Sequence, residues 1–228
     1  MGKIYQHFLF DWDGCLADTP GVWMETYLRL YRAEGLKVEM KDVIAKSWGN
    51  LEEGPKNFGI SNPEEFWEKI VTEVGKGLRT VKLHEGAKEL LERIKNKVYS
   101  EQSRRDQRNK IAIVTSSPAK LVKPALEHHG LNQYIDAFVS SDDVVNEKPD
   151  PEMLFLALEK LGAREKVGEA IIIGDTGKDI IAGRRAGMDQ ALTLHEINKR
   201  YYDFDKLRAS QPTYIVESLG ELSKLIVE

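Results

Sequence analysis

The sequence predicts an α/β fold built on a parallel sheet, and two observations support this. Four short apolar runs, too short for buried helices, are each followed by small or polar residues, as in buried strands: His7 to Phe10, Ile111 to Val114, Ala137 to Val139 and Ala170 to Ile173. Amphipathic helical patterns lie between the later runs. Strands that alternate with such helices need crossover connections, which give a parallel sheet covered on both faces.

The helices predicted between the later strands each end before a glycine, a residue that readily adopts the left-handed conformation closing many helices. They extend from Pro118 to His129 before Gly130, from Pro151 to Leu161 before Gly162, and from about Lys178 to Ala186 before Gly187.

The interval from Asp18 to Lys82 interrupts the alternation, because it contains helical patterns but no continuous strand-like run. One helix is predicted from Thr19 and Pro20, and another from Ser61. We therefore expect a core of residues 1–17 and 82–228 and an inserted helical cap of residues 18–81. The polar stretch from Asn96 to Lys110 is longer than usual for such connections and suggests a solvated loop, with a flap or a subunit contact as the alternative.

Composition narrows the functional classes. The 228 residues are 41% hydrophobic and 31% charged, as in ordinary globular proteins. A net charge of −4 gives no basic surface for nucleic acid. Cys15 has no internal disulfide partner, no apolar run approaches the roughly 20 residues that span a bilayer, and the first residues lack the form of a secretory signal. We expect a cytoplasmic protein that binds neither membranes nor nucleic acid.

The first chemical signal is Asp11-Trp12-Asp13-Gly14, directly after the first predicted strand. Two carboxylates at this spacing provide a nucleophile that also binds metal and a neighbouring proton carrier. A calcium loop disagrees with the sequence because the twelfth position from Asp11 is Val22, where a bidentate glutamate is required. An aspartate-glycine turn with no chemical role remains an alternative for this motif alone.

Three further groups follow the later strands: Thr115 after the second, Lys148 after the third, and Asp175 with Asp179 after the fourth. Ligands of open parallel sheets bind beyond the carboxyl ends of the strands, so we expect these groups to converge with Asp11. The alternatives are a strand end for Thr115, a solvated loop for Lys148 and a first-turn helix acid for Asp179.

In this order, the segments DWDGCLADT, IVTSSP, KPDPEM and GDTGKDIIAGRRAGM resemble the haloacid dehalogenase superfamily, in its phosphoglycolate phosphatase-like branch with a small helical cap. The resemblance spans essentially the whole chain. It implies a doubly wound, Rossmann-like sheet with the nucleophile strand near its centre.

The resemblance also implies residue roles. Asp11 is the nucleophile and a Mg²⁺ ligand, and Asp13 is the acid and base whose main-chain carbonyl also binds Mg²⁺. Thr115, Ser116 and Lys148 bind the phosphoryl group, Asp175 binds Mg²⁺, and Asp179 is a direct or outer ligand. The chemistry is consistent, since a phosphate dianion repels a carboxylate unless cations compensate. We expect a Mg²⁺-dependent phosphatase of a small phosphorylated metabolite.

Four other functions fit the sequence less well. A receiver-type signalling domain is about half as long and has its lysine after its other motifs, and a catalytically silent binding protein has no need of every chemical group. A dehalogenase does not keep an acid at Asp13. A sugar phosphomutase places a histidine and basic residues early in the cap, where Asp18 to Met24 has none.

The sequence does not identify the substrate: phosphoglycolate, sugar phosphates and nucleoside monophosphates all remain open. The oligomeric state is open too.

The cap is expected to select the substrate, because the chain between Ser117 and Lys148 is too short for a second cap. Its connection from Lys46 to Lys56 combines glycines with a cation and polar groups. Lys56 is the leading candidate for contact with the leaving group, and Asn50 is the second. The alternative is an ordinary connection with Lys56 in solvent.

Overall fold

The computed structural model describes residues 3–47, 53–97 and 109–226, and in these ranges six strands form one parallel sheet. The strands are His7–Phe10 (β1), Lys110–Val114 (β2), Ala137–Val139 (β3), Ala170–Gly174 (β4), Asp189–Thr193 (β5) and Tyr214–Val216 (β6). Their order is β3-β2-β1-β4-β5-β6. The doubly wound α/β class is confirmed, and β1 lies between β2 and β4 as expected.

Helices cover both faces of the sheet. In β1, Phe8 and Phe10 belong to one buried cluster and Leu9 to another, because successive side chains of a strand point to opposite faces. This two-sided burial is why the strands of a parallel sheet are continuous apolar runs. The helices that follow the insertion are Ala87–Asn96 (α5), Ala119–His128 (α6), Glu152–Lys160 (α7), Gly177–Ala186 (α8), Phe204–Arg208 (α9) and Leu219–Ile226 (α10).

The predicted helix ends agree with α6, α7 and α8 to within one or two residues. Pro118 precedes α6 as its N-cap, with an extended ψ of 141°, instead of forming its first turn. α8 begins at Gly177, one residue before the predicted start, because Thr176 and Asp179 form a reciprocal capping box around its first turn. Gly187 ends α8 with a φ of 75°.

The described part of the insertion contains only helices: Pro20–Ala33 (α1), Met40–Ser47 (α2), Gly54–Asn57 (α3) and Pro63–Leu78 (α4). Thr19 precedes α1 as predicted, whereas α4 is capped by Asn62, one residue after the predicted Ser61.

The two chain segments that lead into and out of the insertion lie side by side. The amide of Asp18 donates to the Lys82 carbonyl at 2.9 Å, and the amide of His84 donates to the Leu16 carbonyl at 2.9 Å. α4 packs against α1 and also against α6 of the core. The cap boundaries at residues 18 and 81 stay a prediction.

Two strands, β5 and β6, were not predicted from the sequence. β5 carries Asp189, Gln190 and Thr193 among its five residues, so it gives no continuous apolar run, whereas β6 is an apolar run of only three residues. Most of the predicted polar loop from Asn96 to Lys110 lies outside the described residues, and Lys110 itself begins β2. Among the described helices, none has the length and apolar character to cross a bilayer.

Candidate active site

The carboxyl ends of β1, β2 and β4 open into a cavity of about 1100 Å³. Asp11, Thr115 and Asp175 are the first residues after these strands, and the amide of Asp11 donates to the Ile173 carbonyl at 2.8 Å. Parallel neighbours end at one edge of the sheet, so their end residues meet there. Asp11 and Lys148 line the cavity, and Asp175 is buried beside it.

Lys148 connects the nucleophile candidate to α8. Its Nζ lies 3.0 Å from Asp11 Oδ1 and 2.6 Å from Asp179 Oδ1, and it also donates to the Val114 carbonyl at 3.1 Å. Burial opposes the charge of Lys148, but the two carboxylates outweigh that effect and raise its pKa. The lysine is therefore held as a buried cation against Asp11, and not as the solvated loop residue considered above.

Asp11, Asp175 and Asp179 form a buried acidic cluster. One carboxylate oxygen from each lies within 4.8 Å of the others. Burial raises the pKa of Asp11 to about 7, against the opposing effect of Lys148. Burial, with the charges of Asp11 and Asp179, also raises the pKa of Asp175 well above its usual value.

The cluster fits a divalent cation of the Mg²⁺ type. Asp175 Oδ1 is buried and has no hydrogen-bond partner among the described residues, while Tyr202 donates its hydroxyl hydrogen to Asp175 Oδ2. An unsatisfied buried carboxylate oxygen is costly, and hard oxygen donors are what Mg²⁺ prefers.

Asp179 differs from the other two acids because both of its oxygens already have protein donors. Oδ2 accepts from the amide of Thr176 at 3.1 Å and from its hydroxyl at 2.6 Å, and Oδ1 accepts from Lys148. These hydrogen bonds hold Lys148 against the first turn of α8. It favours the outer role for Asp179 over direct coordination.

The Asp13 carboxylate accepts hydrogen bonds from residues outside the acidic cluster. Its Oδ1 accepts from the indole of Trp23 at 2.9 Å, and its Oδ2 accepts from the hydroxyls of Ser117 at 2.7 Å and Thr115 at 3.3 Å. The side chain is thus oriented by α1 of the insertion and by the loop after β2. Its donors Trp23 and Ser117 were not identified as such from the sequence.

The residues predicted to bind phosphate occupy different positions. Ser116 lines the cavity, and its buried Oγ has no hydrogen-bond partner among the described residues. Thr115 instead donates to Asp13, and its Oγ1 accepts from the Ser117 amide at 3.1 Å. Ser116 and Lys148 are therefore the groups most directly available to a phosphoryl oxygen.

The loop after Asp13 is supported by a segment that the sequence did not single out. Asn198 donates to the Gly14 carbonyl at 2.8 Å, and His195 Nε2 lies 3.0 Å from the Cys15 carbonyl. Gly14 has a φ of 75°, and an added Cβ would lie 2.0 Å from Asp175 Oδ2. Only glycine fits there, which explains the Asp-x-Asp-Gly spacing.

The structure does not bring Lys56 to the cavity. Its Nζ pairs with Glu53 Oε1 at 2.8 Å, three residues earlier, and its side chain is half exposed. The described residues of the insertion that line the cavity are Glu53 and Trp67. The prediction for Lys56 is thus replaced by these two residues, and Asn50 lies outside the described residues.

Comparison with known proteins gives one family. The family model described as haloacid dehalogenase-like hydrolase matches residues 8–193. The pyrophosphatase PpaX of Halalkalibacterium halodurans is 29% identical over 222 residues, which cover 96% of this chain and 95% of the relative.

Two solved structures have the same architecture. A protein from Lactobacillus plantarum, named provisionally as a phosphoglycolate phosphatase, superposes with a TM-score of 0.78 at 20% identity, over 98% of this chain and 100% of that one. A protein from Thermotoga maritima, named provisionally as a β-phosphoglucomutase, gives a TM-score of 0.71 at 25% identity, over 97% and 100% of the two chains.

Proposed function

The chain belongs to the haloacid dehalogenase-like hydrolase family, and from this membership we propose that it is a Mg²⁺-dependent phosphatase of a small phosphorylated metabolite, with Asp11 as its covalent nucleophile. One observation carries the proposal: Asp11 directly follows β1, lies 3.0 Å from a buried lysine, and shares an acidic cluster with Asp175, one of whose oxygens has no hydrogen-bond partner among the described residues. A nucleophile, a fixed cation and a metal-binding oxygen therefore meet at one point of the cavity.

In the first half of the reaction, an Asp11 oxygen attacks phosphorus and the bond from phosphorus to the leaving oxygen breaks. Lys148 compensates the negative charge of the phosphoryl oxygens, which would otherwise repel the carboxylate. Asp13 gives its proton to the departing alkoxide. The products of this step are the free alcohol and an aspartyl phosphate.

In the second half, Asp13 takes a proton from a water molecule that attacks the phosphorus of the aspartyl phosphate. The bond from phosphorus to Asp11 breaks, which releases phosphate and restores the Asp11 carboxylate. The hydrogen bonds from Trp23 and Ser117 to Asp13 hold the same carboxyl group in place for both proton transfers.

The acidic cluster would hold the metal through Asp11 and Asp175, with the main-chain carbonyl of Asp13 as a further oxygen and Asp179 behind them. Bound there, Mg²⁺ neutralises the carboxylates and stabilises charge on the phosphoryl group. Ser116 supplies a hydroxyl donor for a phosphoryl oxygen, and this would satisfy its buried Oγ.

The separate roles of Asp11 as nucleophile and Asp13 as general acid and base can be tested with Asp13→Asn. We expect turnover of ethyl phosphate to fall by roughly 10²–10⁴, the range for loss of a general acid or base. p-Nitrophenolate needs no proton to depart, so p-nitrophenyl phosphate should still give a burst of one p-nitrophenol per enzyme, followed by slow turnover. Rapid-quench kinetics measure both.

Asp18→Asn is the matched control, because this nearby acid is not among the cavity-lining residues. It should retain wild-type kinetics on both esters. Equal loss of the first turnover on both esters in Asp13→Asn would contradict the acid role.

A further inference from the structure

The cavity extends well beyond the place where a phosphoryl group meets Asp11. Its volume of about 1100 Å³ is slightly above the range of roughly 300–1,000 Å³ found for sites of drug-sized ligands. Its lining includes four aliphatic residues: Val144, Val145, Ile181 and Leu207. The space suits a leaving group larger than glycolate or phosphate.

Two of these aliphatic side chains are exposed to solvent. Val145 is 91% exposed and Ile181 is 38% exposed, although both are large hydrophobic residues. Exposed apolar side chains that share a concave surface mark binding sites, because a ligand removes them from water. Part of the substrate should therefore be apolar.

Trp67 gives the wall of the cavity a flat aromatic surface. It comes from α4 of the insertion, is only partly buried, and stacks on Trp23 with ring centroids 6.1 Å apart and planes 10° apart. Trp23 is in turn hydrogen-bonded to Asp13. The indole of Trp67 is thus a supported, planar surface only one side chain away from the proton carrier of the proposed reaction.

The charges of the cavity wall disfavour a second phosphate. Apart from Asp11, Asp13 and Lys148, the charged lining residues in the described ranges are Lys178 and Lys206 together with Glu53, Asp142, Glu147 and Asp203. Glu53 is paired with Lys56, which leaves three carboxylates against two lysines, so these residues carry no excess of positive charge that would attract a phosphate leaving group. The walls therefore do not match inorganic pyrophosphate, the compound in the name of the PpaX relative.

We propose that Trp67 is the specificity residue of this site and stacks on a planar aromatic or heteroaromatic ring carried by the leaving group of a phosphomonoester. The inference rests on the proposed phosphatase function and adds the substrate class. Trp67 and Asp13 line the same cavity, so a ring held by the part of the Trp67 indole that Trp23 does not cover would belong to the leaving group, whose ester oxygen receives its proton from Asp13.

The test compares three probes: 1-naphthylmethyl phosphate, ethyl phosphate and inorganic pyrophosphate. The first two have alkoxide leaving groups, so the ratio of their kcat/KM values reports recognition of the ring. We expect the wild-type enzyme to favour the naphthyl ester by at least tenfold over ethyl phosphate and over pyrophosphate. Trp67→Ala should lower the naphthyl-to-ethyl ratio by roughly tenfold, the scale of one aromatic stacking contact.

Trp67→Phe keeps an aromatic face and should restore most of the ratio, whereas Trp67→Leu keeps apolar volume without a ring and should not. Glu64→Ala, an exposed change on the same helix, should leave the ratio unchanged. The ratio is unaffected by a general loss of activity, so disturbance of Trp23 and Asp13 by the substitution does not imitate the expected result.

Failure of the stacking inference and failure of the proposed function give different results. If the wild-type enzyme releases phosphate from the probes but shows no preference for the naphthyl ester, or if Trp67→Ala and Trp67→Leu keep that preference, the stacking inference is wrong and the phosphatase function stands. If no probe releases phosphate with Mg²⁺ present, the proposed function fails and the inference fails with it.

Discussion

Replacing Asp11 by asparagine is expected to reduce turnover to less than about a hundredth of the wild-type rate on every phosphomonoester, because an amide oxygen is too weak a nucleophile to form the acyl phosphate. Loss of the acid Asp13 differs from this, because it should spare the first turnover of p-nitrophenyl phosphate, whose leaving group needs no proton. The measurement is kcat on the best substrate and on p-nitrophenyl phosphate.

The Asp11→Asn protein should remain folded, so the loss is chemical. Burial raises the pKa of Asp11 to about 7, so a neutral amide of the same shape should cost the folded protein little. Lys148 keeps its 2.6 Å contact with Asp179 when Asp11 is replaced.

Asp143→Asn serves as the control for Asp11→Asn. Asp143 follows β3, is paired with Lys160, and is not among the cavity-lining residues. It should have wild-type activity. An Asp11→Asn protein that turns over at more than a hundredth of the wild-type rate would show that another group attacks phosphorus.

Removal of divalent metal is expected to abolish activity nearly completely, and Mg²⁺ should restore it. The cluster of Asp11, Asp175 and Asp179 brings carboxylate oxygens within 4.8 Å of one another, and without a cation it repels a phosphate dianion. The measurement is phosphate release after dialysis against EDTA, then with Mg²⁺ added back.

Thermal unfolding gives a second readout for the metal that does not depend on activity. A ligand that binds the folded state raises Tm according to its concentration relative to Kd, so Mg²⁺ should raise the Tm of the wild-type protein. Asp175→Ala should lose that increase, because it removes the unsatisfied oxygen. Full activity in buffer shown to be metal-free by elemental analysis would contradict the metal requirement.

The sequence predicts the central residues of the site because of a property of parallel sheets. Asp11, Thr115 and Asp175 each follow a buried apolar run directly, and the ends of neighbouring parallel strands are held together by the sheet. Their proximity can therefore be predicted without knowing how the chain between the strands folds. Lys148 is different, because it stands nine residues after the end of β3 and was assigned from the resemblance to the family.

Other parts of the site depend on contacts that leave no pattern in the sequence. Tyr202 and Asn198 come from an irregular segment after β5, a strand too polar to be recognised, so their contacts with Asp175 and Gly14 were not predicted. The role of Trp23 depends on how α1 is placed over the loop. Lys56 is not among the cavity-lining residues, and composition does not show that it pairs with Glu53, three residues earlier.

Chemical trapping of the intermediate tests the central claim, covalent catalysis by Asp11, most directly. The enzyme is mixed with p-nitrophenyl phosphate and Mg²⁺, quenched in acid, and treated with borohydride, which reduces an acyl phosphate to an alcohol. We expect peptide mass spectrometry to find homoserine in place of Asp11 only when substrate is present, and in larger amount in Asp13→Asn, where hydrolysis of the intermediate is slowed. Unmodified Asp11 under conditions of active turnover, or homoserine at another aspartate, would contradict the account.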